Sequence, residues 1–104
     1  MQENLKGFQK QYLKGLAHGM KPVVLIGQNG LTDTLIKAID GELNRQELIK
    51  VKFNAIKDQE GKKTILSTIT SQTGSEVVGM IGHIVILYRM NNDPEKRRIA
   101  LPAR

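Results

Sequence analysis

Apolar residues recur along the chain at spacings that change from segment to segment. Between Asn4 and His18, Leu5, Phe8, Tyr12, Leu13, Leu16 and Ala17 fall three or four residues apart, which predicts a helix with one apolar face. Gly19 suits the left-handed position after a last helical turn, and Pro22 bars continuation. Val23-Val24-Leu25-Ile26, bounded by Pro22 and Gly27, predicts a short strand buried on both faces. Gly27-Gln28-Asn29-Gly30 is a loop by composition. Thr32 then offers an N-cap oxygen, Asp33 favours the first turn, and Leu35, Ile36, Ile39 and Leu43 carry a second helix to about Arg45, with Gly41 inside it. Leu48 to Ala55 alternates: Ile49, Val51, Phe53 and Ala55 share one face, Lys50, Lys52 and Asn54 the other. That strand is expected to have one packed face and one wet, basic face.

Asp58 can cap a third helix reaching Gln72, with Ile65, Leu66 and Ile69 inward. Its threonines and isoleucines pull toward strand. Gly74 is a stop, and Glu76–Ile81 and His83–Arg89 form a hairpin about Gly82. Residues 90–104 are expected to form a mobile basic tail. The order α-β-α-β-α-β-β, with a right-handed parallel crossover and a closing antiparallel pair, predicts one α+β domain over residues 1–104. Its core is a small mixed four-stranded sheet with packed helices.

Composition narrows the chemistry. The chain has 104 residues and no cysteine, so disulfide scaffolds and thiolate zinc sites are excluded. His18 and His83 are its only histidines, too few for an imidazole metal site. No apolar run approaches the ~20 residues of a membrane span, and no signal-peptide pattern opens the chain. A cytoplasmic monomer without membrane, metal or cofactor is expected. No relay joins Ser67, Ser71 or Ser75 to a histidine and a carboxylate, and Asp40 and Glu42 point apart on their helix, so catalysis is not expected. Phe8, Tyr12 and Phe53 read as core. Tyr88, beside Arg89, is a stacking candidate or a structural ring.

The net charge of +6 is unevenly placed. Residues 1–30, 50–57 and 88–104 each carry +3, while residues 31–49 carry −2. Lys6, Lys10 and Lys14, continued by His18, recur every four residues and line one helix stripe. Such a stripe is either a solvated face or one that meets a polyanion. Lys21, Lys50, Lys52 and the Lys96-Arg97-Arg98 run add to that field. The GQNG loop lies between a strand and a helix N-terminus, where free N–H groups and the helix dipole favour an anion. Its glycines let a phosphate approach the backbone, as the GxxG loop of KH domains does. The alternative is a loop shaped only by turn-forming glycines. Neither a P-loop nor a dinucleotide fingerprint is present.

Three ordered runs carry a resemblance: LKGLAHGMKPVVLIGQNGLTD (13–33), ELIKVK (47–52) and IGHIVILYR (81–89). Together they resemble the YhbY family, single-domain bacterial relatives of the CRM (chloroplast RNA splicing and ribosome maturation) domain, over roughly Leu5 to Pro102. The resemblance implies the same α-β-α-β-α-β-β fold. It also implies an RNA-binding protein associated with ribosomal RNA in precursors of the large subunit, with Gly27, Gln28, Asn29 and Gly30 in RNA contact. The charge reading adds Thr32, Lys6, Lys10, Lys14, Lys21, Lys50, Lys52, Lys96, Arg97 and Arg98 to that site. The rival reading is an adaptor that binds ribosomal proteins through the acidic second helix, with RNA contact incidental.

Overall fold

A computed structural model describes residues 5–56 and 58–103. The expected helix start at Asn4, and the charges of Glu3, Lys57 and Arg104, lie outside the described residues. The elements are α1 (Gly7–Ala17), β1 (Val24–Ile26), α2 (Asp33–Gln46), β2 (Leu48–Phe53), α3 (Gln59–Thr73), β3 (Glu76–Ile81) and β4 (Ile84–Tyr88), followed by a 3-10 turn at Pro94–Lys96. This is the order the periodicities predict, in an α+β fold. The sheet runs β1-β2-β4-β3: β1 pairs parallel with β2, and the other pairs are antiparallel.

Local chemistry explains the helix limits. Thr32 Oγ1 accepts from the Leu35 N–H at 3.2 Å, and Asp58 Oδ2 accepts from the Gly61 N–H at 2.8 Å; each satisfies a donor that the first turn leaves free. A Cβ on Gly61 would sit 2.9 Å from the Asp58 carboxylate oxygens, so a side chain there would require the capping carboxylate to shift. The threonines of α3 do not break it, because Thr64, Thr68, Thr70 and Thr73 return their hydroxyls to helix carbonyls. Gly74, at φ 72°, ends α3 in the left-handed region. Gly19 is not in that region, and α1 stops without the expected left-handed cap.

The sheet is packed on both faces. Toward α2 and α3, Val24, Ile26, Ile49, Val51, Phe53, Val85 and Leu87 bury against Ile39, Leu43 and Ile69. Toward α1, Leu48, Val78, Ile86 and Tyr88 bury against Leu13 and Ala17. Eleven residues are too few for a helix to persist alone in water, so α1 depends on this docking.

Four further expectations change. β1 is an edge strand covered on one side only: Val24 and Ile26 are buried, but Leu25 is 56% exposed. On α1 only Leu13 and Ala17 are fully buried, while Tyr12 and Leu16 are 42% and 43% exposed, because the sheet meets a narrower stripe than the apolar pattern offers. β2 ends at Phe53, which leaves Ala55 exposed.

The fourth change is the tail. Residues 90–103 form a strap laid across the domain, not a free extension. Glu47, buried between α2 and β2, accepts from the N–H groups of Asn91 (2.6 Å), Arg98 (2.7 Å) and Ile99 (3.0 Å). Ile99 and Leu101 pack on the α1-side core, and Gln9 Nε2 donates to the Pro102 carbonyl. Arg89 ties β4 to the helices, donating to the Asp40 carboxylate, the Thr73 carbonyl and Asn44 Oδ1.

Tyr88 is structural: its ring is buried, and its hydroxyl has no hydrogen-bond partner among the described residues. Burial first, then the charge of Glu47, pushes its pKa up to about 12, against a smaller lowering by Arg97. The unfolded tyrosine loses its proton near pH 10, so between about pH 10 and 12 the folded state holds a proton that the unfolded state has lost. Stability is therefore full below pH 10 and falls as pH rises toward 12. In Tyr88→Phe that part of the alkaline loss should vanish from urea titrations at stepped pH. An unchanged alkaline profile would remove Tyr88 as its source.

Candidate nucleic-acid interface

The strand directions bring several turns to one end of the sheet. β1 ends into Gly27–Gly30, β2 ends at Phe53, and β3 turns into β4 through Gly82 and His83. The GQNG loop, the β3–β4 turn and the N-termini of α2 and α3 therefore share this end. In the loop, the Gly30 N–H donates to the Gly27 carbonyl at 3.0 Å, which throws Gln28 and Asn29 out as the exposed centre of a tight turn. Gly30 has φ 69°, a value that favours glycine. A Cβ built on Gly27 or Gly30 meets nothing within 4 Å. Space beside both backbones is open, so a phosphate or sugar can come close. Thr32 spends an oxygen lone pair on its cap, and its hydroxyl proton remains free to donate outward.

The basic residues divide by position. Lys52 is exposed and in register with Leu25, two residues before the loop. Lys14 lies across the sheet, since a Cβ on Gly79 would come within 2.7 Å of its Cε. Lys50 points the same way from β2, but its Nζ donates to the Met20 carbonyl at 2.9 Å, which shortens its reach. Lys6 and Lys10 lie toward the other end of α1, where Glu76 accepts from the Leu5 N–H. Lys21, expected to add to the field around the loop, precedes β1 while the loop follows it, so it stands at the far end of that strand.

Lys96, Arg97 and Arg98 sit beside Asn44 and Arg45, at the C-terminal end of α2. With 14 residues in α2, that places them about 21 Å from the helix start next to the loop. The loop and Lys52 thus belong to one region, Lys14 lies over β3 at the opposite edge of the sheet, and the strap cations form another group.

Sequence reasoning missed Lys62. It is buried on α3, with Nζ 2.7 Å from His83 Nδ1 and 5.9 Å from the Phe53 ring centroid. It anchors the β3–β4 turn from below. Its position in the stripe of Ile65, Leu66 and Ile69 was the available signal. Glu47 gave none, because a non-glycine residue at φ 64° leaves no mark on periodicity.

The acidic helix is largely spent internally. Asp40 pairs with Arg89, Glu42 holds Arg45 and Gln46, and Glu47 is buried on the strap. That leaves Asp33 as the acid of α2 without an ion pair among the described residues.

A family model for the CRS1 / YhbY (CRM) domain matches residues 5–89. The "RNA-binding protein" of Haemophilus influenzae is 48% identical over 94 residues, covering 90% of this chain and 91% of that protein. "Probable RNA-binding protein YqeI" of Bacillus subtilis is 32% identical over 99 residues, covering 94% and 99%. Among solved structures, the solution structure of the hypothetical protein SAV1595 from Staphylococcus aureus is similar at TM-score 0.77 and 36% identity, covering 95% of this chain and 100% of that one.

Proposed function

The chain belongs to the CRS1 / YhbY (CRM) domain family, and from that membership we propose that it is a non-catalytic RNA-binding module of the cytoplasm. Its target is ribosomal RNA in precursors of the large subunit. The observation that carries this reading is the GQNG loop: an exposed turn with open space at both glycines, set beside Lys52 and the free end of α2. Backbone N–H groups and the Thr32 hydroxyl hold phosphate or sugar oxygens. Lys52 supplies the nearby charge, Lys14 adds charge from the far side of the same sheet face, and the strap cations add weak, position-independent attraction.

Phosphate contacts position an RNA without reading its sequence, so recognition rests on RNA shape and a few loop contacts. Neutralising about two to four phosphates gives a log affinity against log salt slope of roughly −1.4 to −3.6. Binding to a structured ribosomal RNA fragment across a salt series measures this directly, and a flat response would defeat the reading. Crosslinking in cells tests the target: large-subunit ribosomal RNA is the expected main adduct, and ribosomal proteins in its place would favour the adaptor. The internal pairing of Asp40, Glu42 and Glu47 leaves the adaptor little acidic surface.

A further inference from the structure

The α1 side of the sheet carries three rows of side chains, and α1 covers only two. Register places Glu76, Tyr88 and Leu48 in the first row, and Gly79, Ile86 and Lys50 in the second. Ile81, Ile84, Lys52 and Leu25 form the third, one from each strand. Leu13, Ala17, Ile99 and Leu101 close over Leu48, Tyr88 and Ile86. The third row has no such cover: Leu25 is 56% and Ile81 67% exposed, Lys52 is exposed and Ile84 half-buried. At ordinary strand spacing this row is about 14–15 Å long.

We propose that the open third row and the GQNG loop together take unpaired RNA, with two or three bases laid on Leu25, Ile84 and Ile81. Their phosphates are held at Lys52 and the loop. The inference rests on the RNA reading above and names the class of RNA. Three features point to this occupant. The row is apolar with a cation in it and no acid, and Lys14 borders it over Gly79. It is also continuous with the loop, since Leu25 lies two residues before Gly27 and Ile81 directly precedes the Gly82 turn. Finally, a duplex hides its base faces in the stack, whereas an unpaired nucleotide presents them. A four-stranded sheet is wide enough for two or three bases, as in RRM domains. The surface here is aliphatic, so the contact tolerates any base.

The test uses the full chain and two RNAs of equal length: a hairpin with about ten unpaired loop residues, and a fully paired duplex. The wild type should bind the hairpin more tightly. Leu25→Ser combined with Ile81→Ser should weaken hairpin binding by about tenfold while leaving duplex binding and the hairpin salt slope unchanged. Both side chains are exposed, so the melting temperature should hold. Lys52→Met should instead reduce the salt slope by about one on the hairpin.

Equal wild-type affinity for the two RNAs would overturn this inference and leave the RNA reading standing, as would hairpin preference retained in the double variant. An unchanged salt slope in Lys52→Met would overturn the phosphate assignment. Binding of neither RNA would defeat both readings. Sedimentation showing a dimer that the double variant abolishes would assign the row to a second copy of the chain and overturn the proposal.

Discussion

Glu47→Ala should destabilise the domain by about 3 kcal/mol and free the C-terminal strap. Three backbone N–H groups, from Asn91, Arg98 and Ile99, converge on this one carboxylate. A hydrogen bond to a charged group contributes about 1.5–3 kcal/mol, and a buried donor left unpaired costs a similar amount. The full sum is not expected, because the strap can peel away and let water reach its amides. Glu47→Gly should cost less than Glu47→Ala. The residue sits at φ 64°, where a side chain costs about 1–2 kcal/mol that glycine does not incur. Urea denaturation gives the stabilities, and hydrogen exchange at the three amides reports the strap. Equal stabilities for wild type and Glu47→Ala would mean that the strap does not depend on this carboxylate.

Gly27→Asp should cost RNA affinity about ten- to hundredfold with the fold intact. A Cβ at Gly27 meets nothing within 4 Å, and its φ lies outside the left-handed region, so the protein accommodates the side chain. The approaching phosphate would not, since it meets a carboxylate where the backbone had been bare. Losing one charge-assisted contact of this kind costs about 1.5–3 kcal/mol. Gly30→Ala is a poorer probe: at φ 69° any side chain adds about 1 kcal/mol of strain and mixes folding with binding. Matched melting curves and RNA titrations of Gly27→Asp separate the two. Undiminished affinity would remove the loop from the interface.

The element order and most of the core were legible because they depend on local periodicity. The alternation of Ile49, Val51 and Phe53, the caps at Thr32 and Asp58 and the stop at Gly74 each follow from neighbours close in sequence. The misreadings share one cause. An apolar run shows that residues could be buried, not how much surface the fold will bring to them. Leu25, Tyr12 and Leu16 are as apolar as Ile26 and Leu13, yet β1 falls at a sheet edge and α1 offers the sheet only a narrow stripe. The strap was unreadable for the same reason. Its amides find their acceptor 44 to 52 residues away, and composition alone makes residues 90–104 look like a solvated tail.

The α+β element order, the glycine loop between a strand and a capped helix, and the family can all be read along the chain. Each is written in spacing, turn chemistry or ordered motifs along the chain. Only the folded arrangement shows which cations share the loop's region: Lys52 does, while Lys14 over β3, Lys21 and the strap cations do not. It also decided that the acids of α2 are mostly consumed within the domain, and that one row of the sheet stays open. These are matters of strand order, register and helix coverage, which arise from contacts between residues far apart in the chain and so leave no periodic trace in it.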